Sequence, residues 1–268
     1  MTMLYKHETQ LALRAALEGG RIALHSSIPK DIQLKTSFRD VVTNIDLEIE
    51  QKVVKILSES EYPILGEETT QANWDQLDSR QRHWVVDPID GTTNFVHGLE
   101  YFGTSVGLYD GTNFLVGTVC LPHLGQLYST LGTEKAMLNG RVLIHQHQSI
   151  ENALVAGSFS SGYSNQLQRT QEYSLFGQIN DLSRGALRLG SAASNICFVA
   201  AGKLQAAYGL NAKIWDVAGS LAIALASGCD VRIIPSTAPF ELHYIVGSKE
   251  VVAEIQKLAI DLELMGES

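Results

Sequence analysis

Residues 84–93 constrain the fold of this chain most, because a short apolar run passes directly into two acidic residues. The run Trp-Val-Val predicts a buried strand, and Asp87, Pro88, Ile89 and Asp90 follow it at once. Proline fixes its own φ and holds the preceding residue extended, so the backbone directs the Asp87 side chain. If the chain turns at Pro88, both carboxylates face one point and the Ile89 carbonyl offers a further oxygen ligand. Such ligands suit a hard divalent cation such as Mg²⁺, although the same residues are also typical of an ordinary turn.

The three residues after this pair favour the binding of an anion. Gly91 allows a close approach of the backbone, and Thr92 and Thr93 come at a predicted helix start, where consecutive N–H groups bind anions. Cation ligands and an anion site side by side are what metal-assisted phosphoryl transfer requires. The Thr92 hydroxyl is suited to position an attacking water, and Asp46 is a candidate to take its proton.

Carboxylates stand at the ends of three other apolar segments. Glu67 and Glu68 follow a short predicted strand, Asp216 opens a strongly apolar helix, and Asp46 lies in the first turn of a helix that begins near Asn44. Each acid alone is typical of a solvated surface charge or of a helix cap. Strand ends are where ligands bind in α/β sheets, and carboxylates gathered there would repel one another unless a cation lay between them. Spacing along the chain does not tell whether they gather.

The composition sets the class of protein and excludes several partners. With 268 residues and 45% apolar side chains, the chain can bury a large core in one α/β domain or in two packed lobes. Its 20 basic and 29 acidic residues give a net charge of −9, which disfavours nucleic acid and anionic membranes as partners. The cysteines, Cys120, Cys197 and Cys229, form no metal-binding or disulfide pattern and predict buried thiols in a reducing cytoplasm. No signal peptide or membrane-spanning run is evident.

Hydrophobic periodicity predicts the organisation of the chain. Helices are expected over 8–24, from 44, over 166–179, 191–200 and 216–227, and from 248. Strands are expected at 63–65, 84–86, 206–208, 231–234 and 244–247, with an antiparallel meander over 103–131 and a loop or hairpin at 35–40. An N-terminal α+β lobe over 1–140 then carries the main acidic motifs, and an α/β lobe over 141–268 supplies Asp216 and the substrate pocket.

Three motifs resemble the signatures of the inositol monophosphatase family. They are Gly-Glu-Glu-Thr at 66–69, Asp-Pro-Ile-Asp-Gly-Thr-Thr-Asn-Phe at 87–95 and Trp-Asp-Val-Ala-Gly at 215–219. The segments 40–46 and 190–193 also fit, so the resemblance covers nearly the whole chain. It implies a magnesium-dependent, lithium-sensitive phosphomonoesterase that forms a homodimer. It also implies a fold of the α/β or α+β type, a layered αβαβα sandwich with two sheets.

The resemblance further implies the roles of individual residues. The ligands of a first magnesium ion are Glu67, Asp87 and the Ile89 carbonyl. Those of a second are Asp87, Asp90 and Asp216, and Glu67 also touches a looser third ion. The catalytic residues are Asp46, Thr92 and Glu67, of which Asp46 and Thr92 activate the attacking water. The substrate-binding residues are Asp90, Gly91, Thr92, Thr93, Ala192, Gly209 and Asp216. Lys35 lies in a mobile loop that closes over the metals.

One position departs from the family pattern. The animal enzymes carry a glutamate that binds inositol hydroxyls seven residues before the helix-opening aspartate, where this chain has Gly209. Loss of such a charge-assisted hydrogen bond costs roughly 1.5–3 kcal/mol, which argues against myo-inositol 1-phosphate as the substrate. A phosphatase for fructose 1,6-bisphosphate, histidinol phosphate or a 3′-phosphonucleotide stays open, as does a catalytically silent binding protein on the same fold. Lys213 either favours a more anionic substrate or is simply exposed to solvent.

Four polar residues near these motifs have more than one interpretation. His145 and His147 are spaced like a metal pair on a strand, but exposed polar histidines are the better interpretation. His97 either reaches the pocket or belongs to the surface, the second being favoured. Glu68 either supports a metal ligand from behind or is exposed.

Overall fold

Helices and strands alternate along the chain in the computed structural model, which describes residues 5–26, 32–34, 41–68, 81–160, 165–236, 238 and 240–266. The helices are α1 (Lys6–His25), α2 (Asn44–Leu57), α3 (Thr92–Val96), α4 (Gln166–Leu182), α5 (Ala192–Ala200), α6 (Ile214–Ser227) and α7 (Lys249–Asp261). The first strands are β1 (Ile32–Leu34), β2 (Val41–Thr43), β3 (Ile64–Gly66), β4 (His83–Asp90), β5 (Gly103–Tyr109), β6 (Phe114–Leu121) and β7 (Gln126–Leu131). The later strands are β8 (Lys135–Leu138), β9 (Arg141–Leu143), β10 (Leu154–Ser158), β11 (Gly185–Leu187), β12 (Ala206–Lys213), β13 (Asp230–Pro235) and β14 (Glu241–Gly247).

Two large sheets form the frame. The first has seven strands in the order β3-β4-β5-β6-β7-β8-β9, so neighbours along the chain are neighbours in the sheet. Its β3–β4 pair is parallel and its other pairs are antiparallel. The second sheet has the order β11-β10-β12-β14-β13. Its strands β10, β11 and β12 run parallel, and β14 is antiparallel to both of its neighbours, β12 and β13. The predicted meander over 103–131 is confirmed, and it extends to residue 143.

Helices cover both faces of each sheet. α1 and α2 pack together on one face of the seven-stranded sheet, around Leu11, Ile49 and Val53. α5 and α6 lie between the two sheets, and α4 and α7 cover the outer face of the five-stranded sheet. These are five layers in the order αβαβα, because each sheet and each helix stripe must bury its apolar face against another element. The predicted sandwich with two sheets is confirmed.

Helix α6 carries Asp216 and is packed tightly between the sheets. It has no polar face over most of its length, as a helix covered on all sides requires. A Cβ on Gly117 of β6 would collide with the carbonyl oxygen of Gly219, so the two backbones touch directly. The helix ends at Gly228 with φ 89°, the left-handed C-terminal stop that its sequence predicts. This packing holds the first turn of α6 near β4.

The structure differs from the sequence prediction at several strands, of which β12 shows the reason most clearly. The strand expected at 206–208 continues to Lys213 as β12, with a shift of register between Gly209 and Ala212. Asn211 lies in this bulge with φ 51°, a conformation that asparagine tolerates. The bulge interrupts the alternation of side chains, which is why periodicity alone ended the strand too early.

Other predictions about organisation are not decided. The loop or hairpin at 35–40 lies outside the described residues, although β1 and β2 on either side of it pair antiparallel. The division into lobes over 1–140 and 141–268 stays a prediction. Among the described residues, no helix is long and apolar enough to cross a membrane.

Candidate active site

Strand β4 leaves its regular ladder where the two predicted aspartates stand. Asp87 pairs with Ser105 and Asp90 with Gly103, so three steps along β4 face two steps along β5. This is a bulge at Pro88 and Ile89, so β4 continues through the motif to Asp90 instead of ending at Val86 as the sequence predicts. Both aspartates are buried, with 2% and 6% of their surface exposed. They therefore meet the interior of the protein rather than solvent.

Asp90 is bound by the first turn of helix α5. Its carboxylate accepts hydrogen bonds from the backbone N–H groups of Ala192, at 3.1 Å, and Ala193, at 2.7 Å, and from the hydroxyl of Ser191. Burial nevertheless raises the pKa of Asp90 to about 6, although these hydrogen bonds act in the opposite direction. The helix thus fixes the direction of a carboxylate that lies about a hundred residues earlier in the chain.

Four carboxylates from three elements act on one another electrostatically. Burial raises the pKa of Asp87 well above its usual range, and the charges of Glu67, Asp90 and Asp216 raise it further. A hydrogen bond with Glu67 adds to the same effect. Burial likewise raises the pKa of Asp216 well above its usual range, and the charges of Glu67 and Asp90 raise it further. The gathering of carboxylates that spacing left undecided is therefore present in the fold.

One oxygen of this group has an unsatisfied bonding capacity. Within the described ranges, Oδ1 of Asp87 is buried and makes no hydrogen bond. A buried carboxylate oxygen without a donor is costly, and a cation would remove that cost. Among the described residues, no group of three or more acidic, histidine or cysteine side chains lies at metal-ligand spacing. The candidate ligands are all oxygens, on Asp87 and Asp90, which are buried, and on Glu67 and Asp216, which are half-buried. Such oxygens fit a hard divalent cation.

The structure brings Asp46 to Thr92, as predicted. Oδ2 of Asp46 accepts from the backbone N–H of Thr43 at 2.9 Å and from its hydroxyl at 2.5 Å, while Thr43 in turn caps α2. Oδ1 of Asp46 accepts from the Thr92 hydroxyl at 3.4 Å, and that hydroxyl also donates to the Ile89 carbonyl at 3.0 Å. Asp46 is fully buried. A hydroxyl held between two acceptors has its oxygen lone pairs free to accept a proton from water.

Glu67 follows β3 in a turn that is tied to two neighbouring elements. Its backbone N–H donates to the carbonyl of Val86 in β4 at 3.2 Å, which extends the parallel pairing by one residue. The next N–H, that of Glu68, donates to Oε2 of Glu50 in α2 at 2.8 Å. Glu68 is half-buried, so the structure does not support full exposure of this residue.

The structure brings only some of the residues predicted to bind substrate close together. Gly91 has φ 98° and faces the segment before α5, and Ala192, the first residue of α5, donates its amide to Asp90. These positions lie together. Thr93 is exposed on α3, and Lys35 lies outside the described residues. The role of the Gly91 and Thr92 amides in holding phosphate stays a prediction.

Gly209 faces an aromatic ring instead of open space. It lies in β12 between Ser158 of β10 and Tyr244 of β14. A Cβ on Gly209 would collide with the Tyr244 ring, whose hydroxyl donates to the Ser158 hydroxyl at 3.3 Å. Burial raises the pKa of Tyr244, and the charges of Asp90 and Asp216 raise it further, so the ring lies near those carboxylates. A glutamate at position 209 has no room beside this tyrosine.

Two expectations about basic residues near the site are corrected. Lys213 is half-buried and donates from Nζ to Oε1 of Glu241 at 2.6 Å, so it is not simply exposed. His145 is buried, where its ring binds the Val199 carbonyl at 2.9 Å and the hydroxyl of Ser248 at 3.0 Å. The expectation of two exposed histidines is thus wrong for His145, because strand spacing does not show which side α5 and α7 cover.

Two further sequence expectations, about histidines and about cysteines, are confirmed. His147 and His97 are exposed, and the three cysteines are buried free thiols.

Sequence reasoning missed three residues that support the site. The hydroxyl of Thr43 binds Asp46, and the pattern Thr-x-x-Asp at 43–46 is a recognisable capping box that could have found it. The carboxylate of Glu50 and the ring of Tyr244 have no comparable signal, because each acts across a long-range contact.

Comparison with known proteins agrees with this geometry. The model of the inositol monophosphatase family matches residues 3–261. Inositol monophosphatase 1 of Bos taurus is 29% identical over 242 residues, which cover 88% of this chain and 86% of that protein. The protein named Nus factor SuhB of Pasteurella multocida is 30% identical over 232 residues, covering 82% and 84% respectively.

A solved structure shows the same fold. The IMPase of Thermotoga maritima superposes with a TM-score of 0.80 at 25% sequence identity, and the match covers 96% of this chain and 98% of that one. The family match spans all three acidic motifs and both sheets. The chain belongs to the inositol monophosphatase family.

Proposed function

We propose that this protein is a magnesium-dependent phosphomonoesterase that hydrolyses a small phosphate ester by direct attack of water. One observation carries the proposal: burial, together with the charges of neighbouring acids that include Glu67, raises the pKa values of Asp87, Asp90 and Asp216 beside the Asp46–Thr92 pair. Membership of the family supports a phosphatase. Such a concentration of buried negative charge lowers stability and is typical of a functional site.

The carboxylates divide into two overlapping ligand sets. Glu67, Asp87 and the carbonyl of Ile89 would hold one magnesium ion, and Asp87, Asp90 and Asp216 a second. Magnesium, when bound, supplies stabilisation of the phosphate charge and a bound water of lowered pKa. The shared position of Asp87 is supported by its unsatisfied Oδ1. Its electrostatic interaction with the other three acids supports the same assignment.

Asp46 and Thr92 would accept the proton of the attacking water. The Thr92 oxygen takes a proton from the water while its own proton passes to Oδ1 of Asp46, 3.4 Å away. The two hydrogen bonds from Thr43 hold Oδ2 of Asp46, so that Oδ1 stays directed at Thr92. A new phosphorus–oxygen bond forms as the ester bond breaks, the leaving alkoxide takes a proton from solvent, and Asp46 afterwards returns its proton to solvent, so that the products are an alcohol and inorganic phosphate.

The Gly209–Tyr244 pair bears on the substrate. Gly209 carries no carboxylate that could accept hydrogen bonds from the hydroxyls of a polyol. We therefore propose a sugar, polyol or nucleotide phosphate recognised mainly through its phosphate, with fructose 1,6-bisphosphate, histidinol phosphate and 3′-phosphonucleotides as alternatives to inositol 1-phosphate. Lithium sensitivity, the homodimer, the cytoplasmic location and the exclusion of nucleic-acid and membrane partners stay predictions.

A phosphate-release screen tests the proposal. Protein freed of metal with EDTA is assayed with inositol 1-phosphate, fructose 1,6-bisphosphate, 2′-AMP and p-nitrophenyl phosphate, with and without added Mg²⁺. We expect turnover with Mg²⁺, a loss of turnover in Asp90→Asn and no change in Glu48→Gln, whose side chain is exposed on α2. Equal activity in wild type and Asp90→Asn contradicts the metal assignment. No turnover of any ester contradicts the proposed function.

A binding role is the second candidate. The relative from Pasteurella multocida is named a Nus factor, a name that denotes no phosphatase. A catalytically silent binding protein would recover a partner at equal molar amount in a pull-down and release no phosphate. Asp90→Asn separates the two functions, because it should abolish hydrolysis and leave binding of a partner intact.

A further inference from the structure

Glu50 is a buried carboxylate that the proposed reaction does not use. It lies on α2 one turn after Asp46 and has 0% of its surface exposed. Glutamate is almost never fully buried without a partner. Its Oε2 accepts a hydrogen bond from the backbone N–H of Glu68 at 2.8 Å. One helix thus presents one carboxylate to Thr92 and a second to the turn that carries Glu67.

The same carboxylate occupies the space beside Gly66. A Cβ built on Gly66 would lie 2.5 Å from Cδ and 2.5 Å from Oε1 of Glu50, closer than real Cβ atoms approach any group. Gly66 is the last residue of β3. Glu50 therefore packs against the residue before Glu67 and hydrogen-bonds the residue after it, so it contacts both sides of a predicted metal ligand.

We infer that Glu50 is a positioning residue that clamps the turn at residues 66–68 and so directs Glu67 toward Asp87. The inference rests on the proposed function, since Glu67 matters as a ligand only if the site binds a cation. The backbone N–H of Glu67 donates to the carbonyl of Val86, the residue before Asp87 in β4, at 3.2 Å. The β3–β4 pairing holds one side of the turn and Glu50 on α2 holds the other.

The test measures binding of the metal alone. Isothermal titration calorimetry with MgCl₂ is carried out on the full chain without substrate. Partners that orient metal ligands typically account for about 10- to 100-fold in metal affinity, and we expect a loss of this size in Glu50→Ala. Glu50→Gln keeps an oxygen that can accept from the Glu68 N–H and should recover most of the affinity. The matched control is Glu48→Ala, an exposed glutamate on the same helix, which should bind Mg²⁺ as the wild type does.

A second variant covers the case in which Glu50→Ala does not fold. Gly66→Ala keeps the glutamate at position 50 but adds a methyl group at the place that its carboxylate occupies. The carboxylate must therefore move away from the turn. It should weaken Mg²⁺ binding in the same direction. Combined with Glu50→Ala it should add little further loss, because both changes act on one contact.

The possible results separate the inference from the proposed function. Folded Glu50→Ala or Gly66→Ala protein that binds Mg²⁺ as tightly as wild type overturns the clamp. A variant that only lowers the unfolding midpoint, with unchanged Mg²⁺ affinity, also overturns it, since that is the result of a purely structural role. Wild-type protein that neither binds Mg²⁺ nor releases phosphate contradicts the proposed function instead.

Discussion

Replacement of Asp90 by asparagine should remove a pH-dependent loss of stability from the metal-free protein. Burial raises the pKa of Asp90 from 3.8 to about 6 in the folded chain, against the hydrogen bonds from Ser191, Ala193 and Ala192. That difference is about 2 pH units, which at about 1.4 kcal/mol each corresponds to about 3 kcal/mol in the free energy of unfolding. Asp87 and Asp216 have pKa values raised in the same direction, so the wild type carries this cost several times over.

The sign of the effect follows from which state ionises first. Below pH 3.8 the carboxyl is protonated in both folded and unfolded chains, and its burial costs no charge. As pH rises from 3.8 to about 6 the unfolded chain ionises first, so the free energy of unfolding falls. Above about pH 6 both states are ionised and the loss stays at about 3 kcal/mol. Asp90→Asn has no such group and escapes this loss.

Urea unfolding of EDTA-treated wild type and Asp90→Asn between about pH 4 and pH 7 measures this pH dependence of the unfolding free energy. The unfolding free energy of the variant minus that of the wild type should grow by about 2 kcal/mol over this range, because part of the loss has already occurred at pH 4. The NH₂ group of the asparagine faces the N–H donors of α5, which lowers the stability of the variant. This loss is independent of pH, so it does not affect the change of the stability difference with pH. Asp181→Asn, an exposed position on α4, is the control. A difference that stays flat or shrinks with pH refutes the reasoning. Added Mg²⁺ should stabilise the wild type at pH 7 more than the variant.

Three further predictions concern residues around the site. Thr43→Val removes the hydroxyl that binds Asp46 and should lower the unfolding free energy by about 1 kcal/mol, together with the rate of phosphate release; unchanged urea unfolding and turnover would contradict its capping role. Gly209→Ala forces a methyl group against the Tyr244 ring and should cost about 1–3 kcal/mol, seen as a lower thermal midpoint; a variant as stable as wild type speaks against this packing. Burial raises the pKa of the Cys197 thiol well above its usual range, so this thiol should not react with Ellman's reagent until denaturant is added. Rapid labelling of Cys197 in the native protein would contradict this prediction.

The cost of gathering carboxylates has a consequence for the order of binding. The buried acids repel one another, and their charge also repels a phosphate ester. A divalent cation that lowers this charge should therefore bind before the substrate or together with it. Phosphate alone should show no binding to EDTA-treated protein by calorimetry, and this adds a simple control to the Mg²⁺ titration.

Local features of the site could be read directly from the sequence. Proline at 88 fixes its own φ and lies where the register of β4 shifts, although the strand continues to Asp90. Asp216 in the first turn of an apolar helix and the stop at Gly228 follow from rules that act within a few residues. The ordered motifs then resemble one family closely enough to predict the layered fold and the set of acidic residues, and the family and fold are confirmed.

The tertiary structure alone decided how these residues meet. The binding of Asp90 by the amides of α5 joins positions about a hundred residues apart, and the Glu50–Glu68 and Gly209–Tyr244 contacts join different elements in the same way. The burial of His145 depends on which elements cover it. Hydrophobic periodicity and motif spacing report on a side chain's own neighbourhood along the chain, whereas these contacts are set by how sheets and helices pack. The sequence by itself therefore determined the family, the layered fold and the candidate site residues, and the packing of five layers decided the mutual repulsion and the hydrogen-bond partners of those residues.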